Sequence, residues 1–230
     1  GPLGDVIDLA LVNKLERGEL QQDGILRGHD MERAFNLVRA NDLIWHFVVN
    51  NYLKGKKPPA FDVLFWTNDN TNLPAKMYSY YLRNMILENK LSRKNGVSIC
   101  GVGIDLEKIK IPAFVIALRE DHISPPATVF TTTGLLSGPV QFILGDSGHV
   151  MGIANPPTVK KYGHSAGGSL GEGFEAWKES AKHVDGSWWE PWSDWLKKHS
   201  GKMINAPKQE GNDAHKIIEP APGSYVLEPC

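Results

Sequence analysis

A chain of 230 residues that is 41% hydrophobic, 22% charged and 9% aromatic holds enough apolar material for a core, which excludes a wholly disordered segment. Lys+Arg number 25 against 26 Asp+Glu, a formal net charge of −1 that leaves no electrostatic footprint for nucleic acid or an anionic membrane. No apolar run approaches the roughly 20 residues that span a bilayer, and two cysteines, Cys100 and Cys230, exclude a disulfide framework or a cysteine-rich zinc site and point to a reducing cytosol.

Gly1-Pro2-Leu3-Gly4 reads as a protease-cleavage scar or as natural internal sequence exposed by truncation, and no signal-peptide pattern follows it. With the Pro-rich stretch 217–230 at the other end, the expectation is the carboxyl-terminal part of a longer protein. Residues 5–30 alternate apolar and charged positions, broken by Gly18, Gly24 and Gly28. Over 31–53 the apolar positions fall close to helical spacing, with a cap or break at Asn41-Asp42 and an end at Gly55 and Pro58-Pro59. Residues 61–66 are a short apolar segment, followed by a polar turn over 67–72. Pro74 sits near the start of a second helix running to about Leu91. Residues 97–105 alternate around two glycines and predict a small hairpin.

Residues 113–118 and 140–144 are apolar on both faces, as buried parallel strands are. The stretch between them is long enough for a crossover containing a helix. Residues 155–173, rich in glycine, read as a long flexible loop, and 174–183 as a short helix. Trp188, Trp189, Trp192, Trp195 and Leu196 fall on one helix face, with Lys197-Lys198 at its carboxyl end, and that face reads as core packing.

In a parallel sheet, catalytic groups gather beyond the carboxyl ends of the strands. Arg119-Glu120-Asp121-His122 directly follows the first strand, and Gly145-Asp146-Ser147-Gly148-His149 the second. An acid after one strand and a histidine after the next fit the late half of a nucleophile–acid–base triad, with Asp121 holding the tautomer of His149. Turn-forming Asp and His at strand ends are the plain alternative. Gly163-His164-Ser165-Ala166-Gly167 matches G-x-S-x-G but lacks the preceding apolar strand and following helix of a nucleophile elbow. Cys100 has the right chain order, but Ser98 and Val102 stand where the elbow wants glycine, and it reads as a buried or half-buried small hydrophobe. The absence of G-x-G-x-x-G, a Walker loop and H-E-x-x-H leaves nucleotide and zinc-protease readings without support, and no metal site is expected.

Several segments together resemble the class I polyhydroxyalkanoate synthases, which polymerise (R)-3-hydroxyacyl-CoA. They include Leu37-Val38-Arg39-Ala40-Asn41-Asp42-Leu43-Ile44-Trp45, Asn50-Asn51-Tyr52-Leu53-Lys54-Gly55, Phe61-Asp62-Val63-Leu64-Phe65-Trp66 and Tyr81-Leu82-Arg83-Asn84. Arg119-Glu120-Asp121-His122-Ile123, Ser147-Gly148-His149, Gly186-Ser187-Trp188-Trp189 and Ile218-Glu219-Pro220-Ala221-Pro222-Gly223-Ser224-Tyr225-Val226 follow in order. The resemblance covers nearly the whole chain after about residue 25.

The resemblance implies an α/β fold, the carboxyl-terminal part of an α/β-hydrolase fold with a helical cap. Residues 5–95 are then cap, and 96–230 are the late core strands, helices and tail. It implies Asp121 as triad acid and His149 as triad base, with Asp121 either orienting His149 or helping to activate the substrate 3-hydroxyl. The nucleophilic cysteine lies upstream of these residues, so the parent is an acyltransferase while this chain alone is expected to be inactive. Arg39 and Asn41 resemble residues near the substrate and CoA entrance, with capping and salt bridging as their plain roles. His122 positions its loop, and Trp66 lies near the family's dimer contact or simply packs. No cofactor is implied, since the CoA thioester is substrate and CoA product. The implied partners are (R)-3-hydroxyacyl-CoA, the polyhydroxyalkanoate chain or granule surface, and a second copy of the full-length enzyme in a homodimer. The implied location is the cytoplasm, at polyhydroxyalkanoate granules. Two competing readings are an ester or polyester hydrolase of the same fold, and a non-catalytic fragment serving dimerisation or granule binding.

Overall fold

The computed structural model describes residues 7–38, 40–58, 70–208 and 210–228. The chain divides into two compact units, one built on Arg83–Ile204 and the other on Leu9–Leu82, with the residues from Asn205 onward grouped with the second.

In the second unit, helix α1 (Leu9–Glu16) buries Val12 and Leu15 and packs against α3 (Ala75–Tyr81), which buries Ala75 and Ser79. Residues 5–30 gave no helical expectation, so α1 is an addition. The short strands β1 (Ile25–Leu26) and β2 (Leu73–Pro74) pair antiparallel. Helix α2 (Gly28–Val38) starts where the Gly28 N–H donates to Asn72 Oδ1 at 3.0 Å. Beyond it the chain widens into π-type turns at Asn41–Trp45 and Val48–Leu53. The expected cap or break at Asn41-Asp42 does not occur: Ala40 keeps helical dihedrals of −54° and −35° and makes no side-chain cap. The helical stretch ends at Gly55, whose φ of +60° only glycine adopts freely. Residues 61–66, and with them Trp66, lie outside the described residues.

The first unit carries a four-stranded sheet in the order β5-β6-β7-β8. Before it comes a hairpin of β3 (Ser98–Ile99) and β4 (Val102–Gly103), turned by Cys100-Gly101 with φ of +50° and +78°. Two positive φ values in a two-residue loop make a type I′ turn, whose twist matches that of the strands. Cys100 is exposed there and is not the buried or half-buried small hydrophobe expected, because it stands at the tip of the turn.

Strands β5 (Ala113–Leu118) and β6 (Val140–Gly145) are parallel, in register from Ala113↔Val140 to Leu118↔Gly145. The crossover contains α4 (Pro126–Phe130). Strand β7 (His164–Ala166) runs antiparallel to β6, and β8 (Lys182–Val184) antiparallel to β7. Both correct the sequence reading. The supposed loop 155–173 contributes a strand, and the helix expected to reach His183 stops at Ser180 as α5 (Phe174–Ser180).

Helices cover both faces of this sheet. On one, Ala117, Phe142 and Leu144 pack with Phe130 of α4 and Trp177 of α5. Phe142 meets Trp177 edge-to-face at 4.7 Å and Phe130 at 5.0 Å, the geometry aromatic quadrupoles favour. On the other, Phe114 lies against Trp188 and Trp195, at 6.3 and 5.8 Å between ring centres. Trp195 belongs to α6 (Trp189–His199). The tryptophan face is therefore only partly core: Trp188 is buried, but Trp192 and Leu196 are exposed and line a shallow groove with Pro157 and Trp189. Among the described residues no helix is long and apolar enough to cross a membrane.

Candidate active site

The parallel register places the ends of β5 and β6 side by side, Leu118 opposite Gly145. The ladder runs on into the loops. The Arg119 N–H donates to Gly145 O at 2.9 Å and the Glu120 N–H to Ser147 O at 3.1 Å. Asp121, one residue beyond Glu120, and His149, two beyond Ser147, are thereby brought together.

His149 Nδ1 donates to Asp121 Oδ2 at 2.8 Å. A carboxylate only accepts, so this contact assigns the ring proton to Nδ1 and leaves Nε2 as the basic nitrogen. Asp121 is fixed from its own side too: Oδ1 accepts from the Ile123 N–H at 2.8 Å and the Ser124 N–H at 2.9 Å. Burial pushes the Asp121 carboxyl up, but the Ser124 N–H, the His149 ring and the Ile123 N–H together outweigh it and hold it below the usual carboxylate range.

A second network lies beside this pair. Arg119 Nε donates to Asp146 Oδ1 at 3.2 Å, and Arg119 Nη2 donates to Ser165 Oγ at 3.3 Å. His183 Nε2 donates to Asp146 Oδ2 at 3.0 Å. Burial raises the Asp146 carboxyl, and His183 and Arg119 more than offset it, leaving it below its ordinary value. This network joins β5, β6, β7 and β8 at one end of the sheet. The sequence offered Arg119 and Asp146 only as members of polar clusters and gave no sign of His183, which its short strand β8 brings into place.

Ser165 of the G-x-S-x-G match sits mid-strand on β7, buried, with its hydroxyl accepting from Arg119. No helix starts directly after it, the next being α5 at Phe174, and it is a sheet residue. Cys100, at its hairpin tip, lacks the strand–turn–helix setting of a nucleophile. Asn41 opens a π-type turn of the other unit, where it is exposed and its carbonyl accepts from the His46 N–H. Arg39 and Cys230 lie outside the described residues.

Taken together, the Asp121–His149 pair can take up and return a proton at Nε2 while the carboxylate holds the ring and offsets the positive charge that forms on it.

No protein-family model matches the chain. It is 43% identical to the poly(3-hydroxyalkanoate) polymerase subunit PhaC of Cupriavidus necator over 202 residues, 88% of this chain and 34% of that protein. It is 42% identical to the poly(3-hydroxyalkanoate) polymerase subunit PhaC of Rhizobium etli over 228 residues, 99% of this chain and 35% of that protein. To poly(3-hydroxyalkanoate) polymerase 2 of Ectopseudomonas oleovorans it is 42% identical over 207 residues, 90% of this chain and 37% of that protein. The chain thus spans about a third of the length of the curated relatives it matches.

Proposed function

The chain belongs to the poly(3-hydroxyalkanoate) polymerase family, and from that premise we propose that Asp121 and His149 are the acid and base of a Cys-His-Asp acyl-transfer site that polymerises (R)-3-hydroxyacyl-CoA, 3-hydroxybutyryl-CoA among them, with release of CoA. The observation that carries this reading is the 2.8 Å bond from His149 Nδ1 to Asp121 Oδ2 at the carboxyl ends of two parallel strands.

In this reading the thiol comes from polypeptide outside these 230 residues. His149 Nε2 takes the thiol proton, and the thiolate attacks the thioester carbonyl of the substrate. The acyl–sulfur bond to CoA breaks, and the imidazolium returns its proton to the departing CoA thiolate. A 3-hydroxyl group then attacks the enzyme-bound thioester, losing its proton to His149. The new ester forms and the cysteine leaves as the thiol. Asp121 either stabilises the imidazolium at each stage or activates the 3-hydroxyl directly.

The same reading takes the sheet of the first unit as the late part of an α/β-hydrolase core, with residues 5–95 as a helical cap carrying Arg39 and Asn41 near the substrate entrance. It places the full-length protein in the cytoplasm as a homodimer at the polymer granule. The mixed sheet covered by helices on both faces supports the core assignment.

The test uses a complete polymerase carrying this segment, supplied with 3-hydroxybutyryl-CoA. Polymer together with free CoA is the expected product. Free hydroxyacid with CoA would make it a hydrolase, and no turnover would leave a non-catalytic fragment. His149→Ala should abolish CoA release, whereas Cys100→Ser should leave most of it.

A further inference from the structure

His149 sits on a loop, residues 146–156, that leaves β6 and has no strand or helix of its own. Three consecutive side chains reach across to it from the start of α6. The Ser187 hydroxyl donates to Asn155 O. The Trp188 indole N–H donates to Gly152 O at 2.9 Å, and the Trp189 indole N–H donates to Ile153 O at 2.9 Å. Ser187 Oγ also accepts from the Trp189 N–H at 3.0 Å, which ties the three donors to one another.

Two legs of the anchorage are buried, with Ser187 3% exposed, Trp188 7% and Asn155 2%, while the Trp189–Ile153 leg lies at the surface. Asn155 is held in turn, its Nδ2 donating to Tyr162 O at 3.1 Å. Within the loop, the Gly152 N–H donates to Gly148 O at 2.8 Å and the Ala154 N–H to Val150 O at 2.9 Å, so a single helical turn begins beside His149. Gly152 backs directly on the sheet, where a Cβ would come within 2.6 Å of Leu118 Cδ2.

The imidazole itself is half open to solvent, so packing around the ring does little to fix it. Its place must be set through its backbone. A hydrogen bond as short as the one to Asp121 needs both partners held to within about 0.5 Å. Asp121 has its own two backbone donors. We propose that Ser187, Trp188 and Trp189 are positioning residues for His149, clamping the carbonyls of Asn155, Gly152 and Ile153 and so holding the imidazole against Asp121. Indole suits this task because it is rigid and only donates, and at Gly152 and Asn155 the loop offers carbonyls that burial would otherwise leave unpaired.

The proposal rests on the reading of Asp121 and His149 as a proton-transferring pair, and the test keeps the two apart. The 230-residue chain, labelled with 15N and 13C, reports the tautomer of His149 by its imidazole shifts, with His149→Gln identifying the signals. Trp188→Phe and Trp189→Phe remove only the indole donor. Trp192→Phe, on the same helix with its ring 5.7 Å from that of Trp188, is the control. The expected result is loss of at least half of the Nδ1–H tautomer in Trp188→Phe and Trp189→Phe. The amides of Gly152 and Ala154 should exchange about tenfold faster. Trp192→Phe should change neither. If Trp188→Phe fails to fold, Trp189→Phe and Ser187→Ala carry the same test. Unchanged tautomer and amide exchange in folded Trp189→Phe and Ser187→Ala would overturn the clamp. A complete polymerase that kept its turnover in His149→Ala would instead overturn the catalytic reading and leave the tautomer result standing.

Discussion

Asp121 and His149 share a hydrogen bond of 2.8 Å across a steep change in exposure, the carboxylate side chain 6% exposed and the imidazole 45%. In the proposed mechanism the enclosed partner is the one that stays fixed and charged, and the open one is the one that meets the thiol and the substrate. In Asp121→Asn the amide presents N–H groups where the ring needs an acceptor, so the opposite tautomer is favoured and Nε2 loses its basicity. CoA release by a complete polymerase carrying this substitution should fall by about 100-fold or more in kcat, with a much smaller change in KM.

Acid should destabilise the first unit through the same carboxylates. Asp121 and Asp146 both titrate below their ordinary range in the folded chain. A depressed carboxylate contributes stability that is present above its unfolded pKa, about 3.9, and is lost as pH falls through the lower folded value. Urea midpoints followed downward from pH 5 should therefore drop more steeply for the wild-type chain than for Asp121→Asn or Asp146→Asn. Parallel pH profiles for all three would contradict the assignment.

Ser165→Ala separates the strand residue from the elbow its sequence imitates. The substitution removes an acceptor from Arg119 and should cost about 0.5–1.5 kcal/mol in unfolding free energy. Turnover of a complete polymerase should stay within about threefold of wild type, where loss of a nucleophile costs orders of magnitude. A collapse of activity without loss of stability would return Ser165 to the chemistry.

Cys100→Asn should raise stability. Position 100 holds a φ of +50° beside Gly101 at +78°, and Asn-Gly is the pair that type I′ turns favour. Relief of the left-handed strain should contribute about 0.5–1 kcal/mol, read as a higher melting temperature. Most CoA release should survive in the complete enzyme, since the side chain stands at an exposed hairpin tip.

The dyad was legible because two apolar runs, the second broken only by Gln141, fix two strand ends, and the parallel pairing then leaves little freedom in where the next three or four residues fall. The hairpin at Cys100 was legible for a similar local reason. Strands β7 and β8 were not. His164–Ala166 and Lys182–Val184 are three residues each, flanked by glycines or by a helix end, and pairing sets them in place, β7 on β6 and β8 on β7, not any propensity of their own. With them the partnership of His183 and Asp146 stayed hidden. The tryptophans show a third limit. Their spacing predicts one helix face, but periodicity does not reveal how much of that face another element covers, and Trp192 and Leu196 remain open. At Asn41-Asp42 a capping sequence was overridden, because the backbone there widens into a π-type turn and stays helical.

The contacts that assemble this end of the sheet share a property of the chain's connectivity. Arg119–Asp146 closes over 27 residues, His149–Asp121 over 28, Ser187–Asn155 over 32, Trp188–Gly152 and Trp189–Ile153 over 36, His183–Asp146 over 37 and Arg119–Ser165 over 46. Loop-closure entropy rises only with the logarithm of length, so the shortest and longest of these differ by about 0.5 kcal/mol. Chain length alone therefore sets no order among them, and each shares a loop or strand with another. The dyad, its neighbouring ion network and the tryptophan anchorage are therefore a single kinetic unit: they should gain protection from exchange together during refolding and lose it together when the unit opens.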